Sequence, residues 1–443
     1  MALKWFQQAS GRACVIGLDG VPHSMLVKFM EAGVMPRFKE LAARGRMTSM
    51  TVSLPEISSV SWTTFMTGRN PGEHGIFGFT DLHPGTYKMS FPSFRDVRTD
   101  TIWDRLGSKK MRSVVINQPA TYPARPIHGA LVSGFVAVHL DKSIFPSRYL
   151  KDLKSANYEI DLDAREVKDD PDALFRALHE LLDSRRRALD IFWDEEQWNL
   201  MEVIVTGTDR LHHFAMDAYE DESHPQHEAF LDYYRAVDSF IGEVYDRFAA
   251  KSVKSSDAEN FFVLSDHGFC RTEREAYMNT VLAENGYLKF TREGADALAD
   301  ISEAATAFCL DPARIYLHRR GKYPRGSVSD AAAPGIKKEL KALFESLTHD
   351  GKPIIRHVFD GDEVYSGPEK SRGPDLLLVP HNGTDLKGRI GAPAMIGERR
   401  LQGMHTWDDA FFMTLRTDLL EPSDRFTLME IPGKILKSLG VDA

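Results

Sequence analysis

Cysteine is scarce in this chain: three residues in 443, at Cys14, Cys270 and Cys309. They fall at no spacing that a zinc site uses, and an odd number cannot pair completely. A disulfide scaffold and a thiolate metal cage are both excluded, and a reducing, cytoplasmic setting is the expectation. Long apolar runs are missing as well. No stretch approaches the ~18 residues that a membrane-spanning helix needs. The opening MALKWFQQASGRACVIGLDG has no signal-peptide core before its strand-like run begins. Positive charge is not in excess either, because 55 Lys and Arg face 64 Asp and Glu for a net charge of -9. The densest basic cluster, Arg185 to Arg187, is interleaved with acids in a helical stretch and reads as a solvated face. A nucleic acid duplex is therefore excluded as the main partner. Internal repeats and low-complexity tracts are absent.

The remaining composition, 42% hydrophobic and 27% charged, is that of an ordinary globular protein large enough to bury a sizeable core. Short apolar runs at 14–20, 113–117, 201–207 and 261–266 read as buried strands. Amphipathic helical patterns at 26–43, 171–196 and 226–250 separate them. Alternating strands and helices predict an α/β fold with a mainly parallel central sheet covered on both faces. The late runs 374–380 and 410–415 read as further core strands, and 429–439 as a final helix. One domain over 1–443 is expected, with insertions at 77–99, 138–172 and 280–370 walling the site.

Three apolar strands lead into an aspartate: VIGLD gives Asp19, VIVTGTD gives Asp209 and FFVLSD gives Asp266. Ligands of open parallel sheets bind beyond the C-terminal strand ends, so three acids there converge on one place. Histidines accompany them. Asp209 and His213 stand one helical turn apart, His267 follows Asp266, and His405 sits in GMHTWDD. Carboxylate and imidazole together suit a borderline divalent metal. The stretch PEISSVSWTTFMTGRNPGEHG (55–75) opens as a loop, turns helical from about Val60 and stops at Gly68. Ser58 or Ser59 then falls at a helix N-terminus, as an N-cap or as a nucleophile aimed at an anion.

Taken in order, GLDG (17–20), PEISSVSWTTFMTGRNPGEHGI (55–76), TDRLHH (208–213), SDHGF (265–269) and GMH (403–405) resemble the alkaline phosphatase superfamily. The resemblance is to its type I phosphodiesterase/nucleotide pyrophosphatase branch. It implies two divalent ions, zinc first and manganese as the alternative. Asp209, His213 and His405 would hold one ion. Asp19, Asp266 and His267 would hold the other, which also touches the nucleophile. The family spacing puts that nucleophile on Ser58, with Ser59 as the neighbouring candidate. A phosphoseryl route to hydrolysis of a small phosphate ester follows, nucleotides among the candidates. Asn117, Arg210 and His212 are candidate substrate contacts, and His74 is expected to be structural. Aromatic residues such as Tyr87, Phe91, Phe94, Tyr122, Tyr277 and Tyr287 are candidates for stacking on a base.

Rival readings are a phosphomonoesterase, a phosphomutase of the cofactor-independent phosphoglycerate mutase type, and an inactive scaffold on the same fold. The short 77–99 segment disfavours the mutase, and the intact ligand set disfavours the scaffold. A sulfatase is disfavoured by the missing maturation motif around the serine.

Overall fold

The computed structural model describes residues 11–167, 170–252, 255–420 and 426–442. The first ten residues of the opening segment therefore lie outside the described residues. The core is an eight-stranded sheet ordered Arg46–Met50, Ala410–Thr414, Phe261–Leu264, Ala13–Leu18, Leu200–Val205, Ser113–Gln118, Gly129–Ser133 and Ile144–Phe145. The five strands from Phe261–Leu264 to Gly129–Ser133 are parallel. Antiparallel strands close both edges.

Alternation along the central strand explains the two covered faces. Cys14, Ile16 and Leu18 enter one apolar cluster, and Ala13 and Val15 enter the other. Helices Pro171–Glu195, Gly207–Glu220 and His227–Lys251 pack on the first face. Helices Ser58–Thr67, Ile102–Ser108 and Ile431–Ser438 pack on the second. Each fully buried large side chain contributes about 1.5–3 kcal/mol. All six residues of Ala13–Leu18 are buried, so the strand that carries Asp19 is anchored on both sides.

A cap with its own apolar cluster stands over one end of the sheet. Its antiparallel sheet is ordered Ala307–Leu310, Arg314–Leu317, Leu376–Pro380 and Ile355–Asp360, backed by helix Ala333–Glu345. The run 374–380, expected in the core sheet, is therefore a cap strand. An apolar run buried on both faces reads the same in either sheet, which is why its sequence pattern pointed to the core. The 77–99 segment forms the small hairpin Asp81–Leu82 with Met89–Ser90. The 138–172 segment adds the edge strand Ile144–Phe145 and helix Leu150–Ser155. All three cysteines are free. Among the described residues no helix is long and apolar enough to cross a membrane.

Candidate active site

Three strand ends deliver the acids. Beyond Ala13–Leu18 the chain turns at Gly20, whose φ of +68° favours glycine. That turn aims the Gly20 N–H at Asp266 Oδ1, 3.0 Å away, and so ties two strand ends together. Asp209 lies in the first turn of Gly207–Glu220, with His213 one turn on and 3.4 Å from Asp209 Oδ1. His405 arrives from far along the chain. Strand Gly268–Arg271 pairs antiparallel with Gly403–Thr406, placing Phe269 opposite His405. This brings the His405 ring onto that of His267, with centroids 3.7 Å apart.

The helix Ser58–Thr67 begins at the same place. Its N-cap position is Ile57, and no side chain caps it. Ser58 is thus not the capping serine that the bland reading offered. Its Oγ lies 3.3 Å from Asp19 Oδ1 and 3.2 Å from His267 Nε2. Ser59 Oγ, by contrast, is buried with no hydrogen-bond partner. Between the two serines, only Ser58 meets the acid and imidazole cluster. Trp62, one turn into the helix, donates from Nε1 to Asp19 Oδ2 at 3.1 Å and fixes that carboxylate.

The ligand-type atoms form two overlapping groups: Asp209, His213 and His405, and Asp19, Asp209 and His267. Asp266 stands beside the second, its Oδ2 3.4 Å from His267 Nε2. The hydrogen bonds behind these rings test whether cations fit. Nδ1 of His213, His405 and His267 lies on the main-chain oxygen of Gly403 (3.1 Å), Glu56 (2.9 Å) and Gly268 (3.0 Å). Carbonyls only accept, so each Nδ1 is the donor and each neutral Nε2 presents a lone pair. Those lone pairs face carboxylate oxygens, and His405 Nε2 faces His213 Nε2 at 3.3 Å. Asp209 Oδ1 and Asp266 Oδ2 are buried and receive no hydrogen bond. Acceptors facing acceptors in a dry site call for positive charge between them. The donor set fits divalent cations.

The electrostatics agree at two of the three rings; at His405 burial works downward, but the hydrogen bond and charge of Asp209 overcome it and raise the imidazole above its ordinary value. Burial pushes the His213 imidazole down to about 4, and His267 well below its ordinary value, so both are neutral donors of a lone pair. Burial and the charge of Asp209 raise Asp19 to about 7. Burial and Asp19 likewise raise Asp266 well above the carboxylate range. Burial works in the same direction on Asp209, but His213, His405 and Arg210 overcome it and hold that acid well below its ordinary value.

The three candidate substrate contacts are all engaged within the protein. Arg210 donates to Asp209 Oδ2 at 2.8 Å and to Asp161 Oδ2 at 2.5 Å, with its guanidinium 4.4 Å from the Phe135 ring. It orients Asp209 from behind. His212 is buried, bonded through Nδ1 to Gly20 O and through Nε2 to the Tyr234 hydroxyl. The Asn117 amide meets Ile204 O and Thr206 Oγ1 and accepts from the Tyr158 hydroxyl. His74 is buried, 3.1 Å from Thr64 Oγ1, and accepts from Ile76 N–H. Tyr87 stacks on Tyr323 and bonds His318, which removes it from the site.

Residues given no role from the sequence complete the surroundings. Asp161 anchors Arg210 from the 138–172 segment. A small cavity of about 100 Å³ opens beside His213 and His405, walled by Glu56 and by Asp385, Lys387 and Met404. Lys387 lies 2.6 Å from Asp385. No strand-end or spacing signal marks Asp161, which comes from the 138–172 segment, or Asp385 and Lys387, which come from the strand Thr384–Lys387.

Residues 13–408 match the family described as type I phosphodiesterase / nucleotide pyrophosphatase. No curated protein matches the chain. Among solved structures, phosphonoacetate hydrolase from Sinorhizobium meliloti 1021 is similar at 14% identity and a TM-score of 0.64, covering 98% of this chain and 96% of that one. Murine ectonucleotide pyrophosphatase / phosphodiesterase 5 is similar at 13% identity and a TM-score of 0.54, over the same shares. The alkaline phosphatase PafA is similar at 13% identity and a TM-score of 0.58, covering 97% and 96%. These likenesses establish the alkaline-phosphatase-like fold. The chain belongs to the type I phosphodiesterase/nucleotide pyrophosphatase family, a family of phosphate-ester hydrolases.

Proposed function

We propose that this member of the family hydrolyses small phosphate esters, phosphodiesters first, through a phosphoserine on Ser58. The observation that carries the reading is the position of Ser58 Oγ, within 3.3 Å of both Asp19 and His267 at the start of a helix. Asp209, His213 and His405 would hold one divalent ion, and Asp19, Asp266 and His267 the other. Imidazole and carboxylate donors suit zinc, with manganese as the alternative. Bound there, the ions would supply Lewis-acid stabilisation of the serine alkoxide and of charge on the phosphoryl oxygens.

The chain's own groups supply the rest. Ser58 Oγ attacks phosphorus, the bond to the leaving oxygen breaks, and a phosphoserine forms; water then attacks phosphorus and releases Ser58 and phosphate or its monoester. Free N–H groups at the start of Ser58–Thr67 favour the developing negative charge. Trp62 holds Asp19 and Arg210 holds Asp209, so both carboxylates keep their places during the reaction. The phosphomonoesterase reading gains from one observation. The cavity beside His213 and His405, at about 100 Å³, is small against the roughly 300–1,000 Å³ of drug-sized pockets. Compact substituents fit it best.

Ser58→Ala is the test. Turnover of bis-p-nitrophenyl phosphate should fall by about 10⁴-fold or more, the scale of losing a nucleophile, while metal content stays near that of the parent. Full turnover in Ser58→Ala would overturn the covalent route. The ratio of rates on the diester and on p-nitrophenyl phosphate separates the diesterase from the monoesterase.

A further inference from the structure

A second cavity, of about 1000 Å³, contains none of the catalytic cluster in its walls. One wall is segment 81–85 of the 77–99 hairpin region, and the others are cap segments within 319–323 and 361–375 together with Asp330. The volume is that of a small-molecule site.

Most charges around it are matched. Arg319 meets Asp375 at 2.5 Å, Arg372 meets Glu369 at 2.9 Å, and Lys370 meets Asp362 at 3.1 Å. Asp330 is exposed, 3.5 Å from Arg319, and the other lining acids are spoken for in turn. Asp375 also accepts from Leu317 N–H, Asp362 is shared with Lys337, and Asp81 accepts from Leu82 N–H and lies 3.5 Å from Arg372. Two cations are left over. Among the described residues, neither Lys322 nor Arg320 has a carboxylate within ion-pair distance.

They flank Gly321, whose φ of +78° makes the tight turn that sets both on the cavity wall. Lys322 is mostly buried. Its ammonium lies 5.5 Å from the Tyr316 ring and 5.7 Å from the Tyr323 ring, and spends one donor on Ser371 O at 2.8 Å. An ammonium has three donors, and a desolvated cation with no carboxylate in direct contact is costly. An anion in the cavity would offset that cost. Burial holds the lysine below its ordinary pKa, in keeping with this unmet demand.

We propose that this cavity binds a small phosphate-bearing molecule, separate from the catalytic centre, with its phosphate on Lys322 and Arg320. A phosphate matches two adjacent cations, and the remaining volume holds an organic group beside Tyr323. Because the 77–99 segment and the cap both wall the cavity, an occupant also ties the two together.

The metal-loaded Ser58→Ala protein is titrated calorimetrically with AMP and, separately, with inorganic pyrophosphate. At least one probe should bind at a second site per chain besides the catalytic centre. Lys322→Gln should weaken that site at least about tenfold, the scale of a charge-assisted hydrogen bond. In the Ser58 protein, Lys322→Gln should leave the rate on bis-p-nitrophenyl phosphate unchanged. Arg320→Gln, at an exposed position, gives the same direction if Lys322→Gln does not fold. The proposal fails if neither probe shows a second site, or if the foldable variants bind as the parent does. It fails equally if Lys322→Gln cuts hydrolysis as deeply as it cuts binding, since the cavity would then be part of the active site.

Discussion

Glu202 and Asp209 sit seven residues apart, one inside strand Leu200–Val205 and the other just past its end, and both are buried. Their surroundings resolve the same problem in opposite ways. Glu202 stands alone in an apolar layer with a single donor, Trp103 Nε1 at 3.1 Å, and its Oε1 has no partner. Burial pushes it to about 8, so it keeps its proton at neutral pH. Asp209 is surrounded by His213, His405 and Arg210 and stays charged. A lone buried acid solves its desolvation by neutralising itself. A buried acid framed by imidazoles, a guanidinium and two further acids holds its charge for something that the protein does not itself contain.

The comparison breaks most visibly on metal removal. Exhaustive chelation should abolish turnover and lower the melting temperature, because Asp19, Asp209 and Asp266 are left facing one another without positive charge. Zinc or manganese should restore both readouts. Turnover and melting temperature that both survive chelation would mean that the strand-end acids, like Glu202, solve their burial alone.

A smaller effect should follow from the tether. Asp161→Asn removes the charge that positions Arg210 behind Asp209. Loss of such an outer partner costs about 10–100-fold in metal affinity. Competition with a zinc indicator dye measures it. Unchanged affinity would show that Arg210 holds Asp209 without help from the 138–172 segment.

The smallest effect belongs to Glu202. Its folded pKa lies above the ordinary 4.5. Its share of stability is therefore complete below about pH 4.5 and is lost as pH rises through about 8. Glu202→Gln should match the parent near pH 5 and exceed it at pH 8.5 by about 2 kcal/mol, given ~1.4 kcal/mol per pKa unit and some relaxation. Thermal melts at the two pH values check this, and a variant that is less stable at pH 8.5 would show a charged role for Glu202.

How much of this was legible in the sequence depends on whether a residue is tied to an element end. Asp19, Asp209 and Asp266 follow apolar runs, and His213 and His267 are their near neighbours, so strand and helix periodicity alone gather them. His405 was legible as a motif, but its partner strand Gly268–Arg271 was not, since two four-residue strands leave little periodicity. Arg210 and His212 were noticed for standing beside ligands. Their roles, bonding Asp161 and Tyr234, depend on residues about 50 and 22 positions away along the chain. Asp161, Lys387 and Glu202 gave no signal, because weakly patterned insertions and a single acid in a strand look alike in any fold. The run 374–380 is a buried strand, as its pattern predicts, but of the cap sheet, since two-sided burial does not say which layer covers it.

The central claim is a covalent phosphoserine at one of two adjacent serines. Acid-quenching the metal-loaded enzyme during turnover of bis-p-nitrophenyl phosphate, followed by peptide mass spectrometry, reads it directly. The geometry predicts a phosphate on Ser58 and none on Ser59. A phosphate on Ser59, or rapid turnover with neither serine ever labelled, would contradict it.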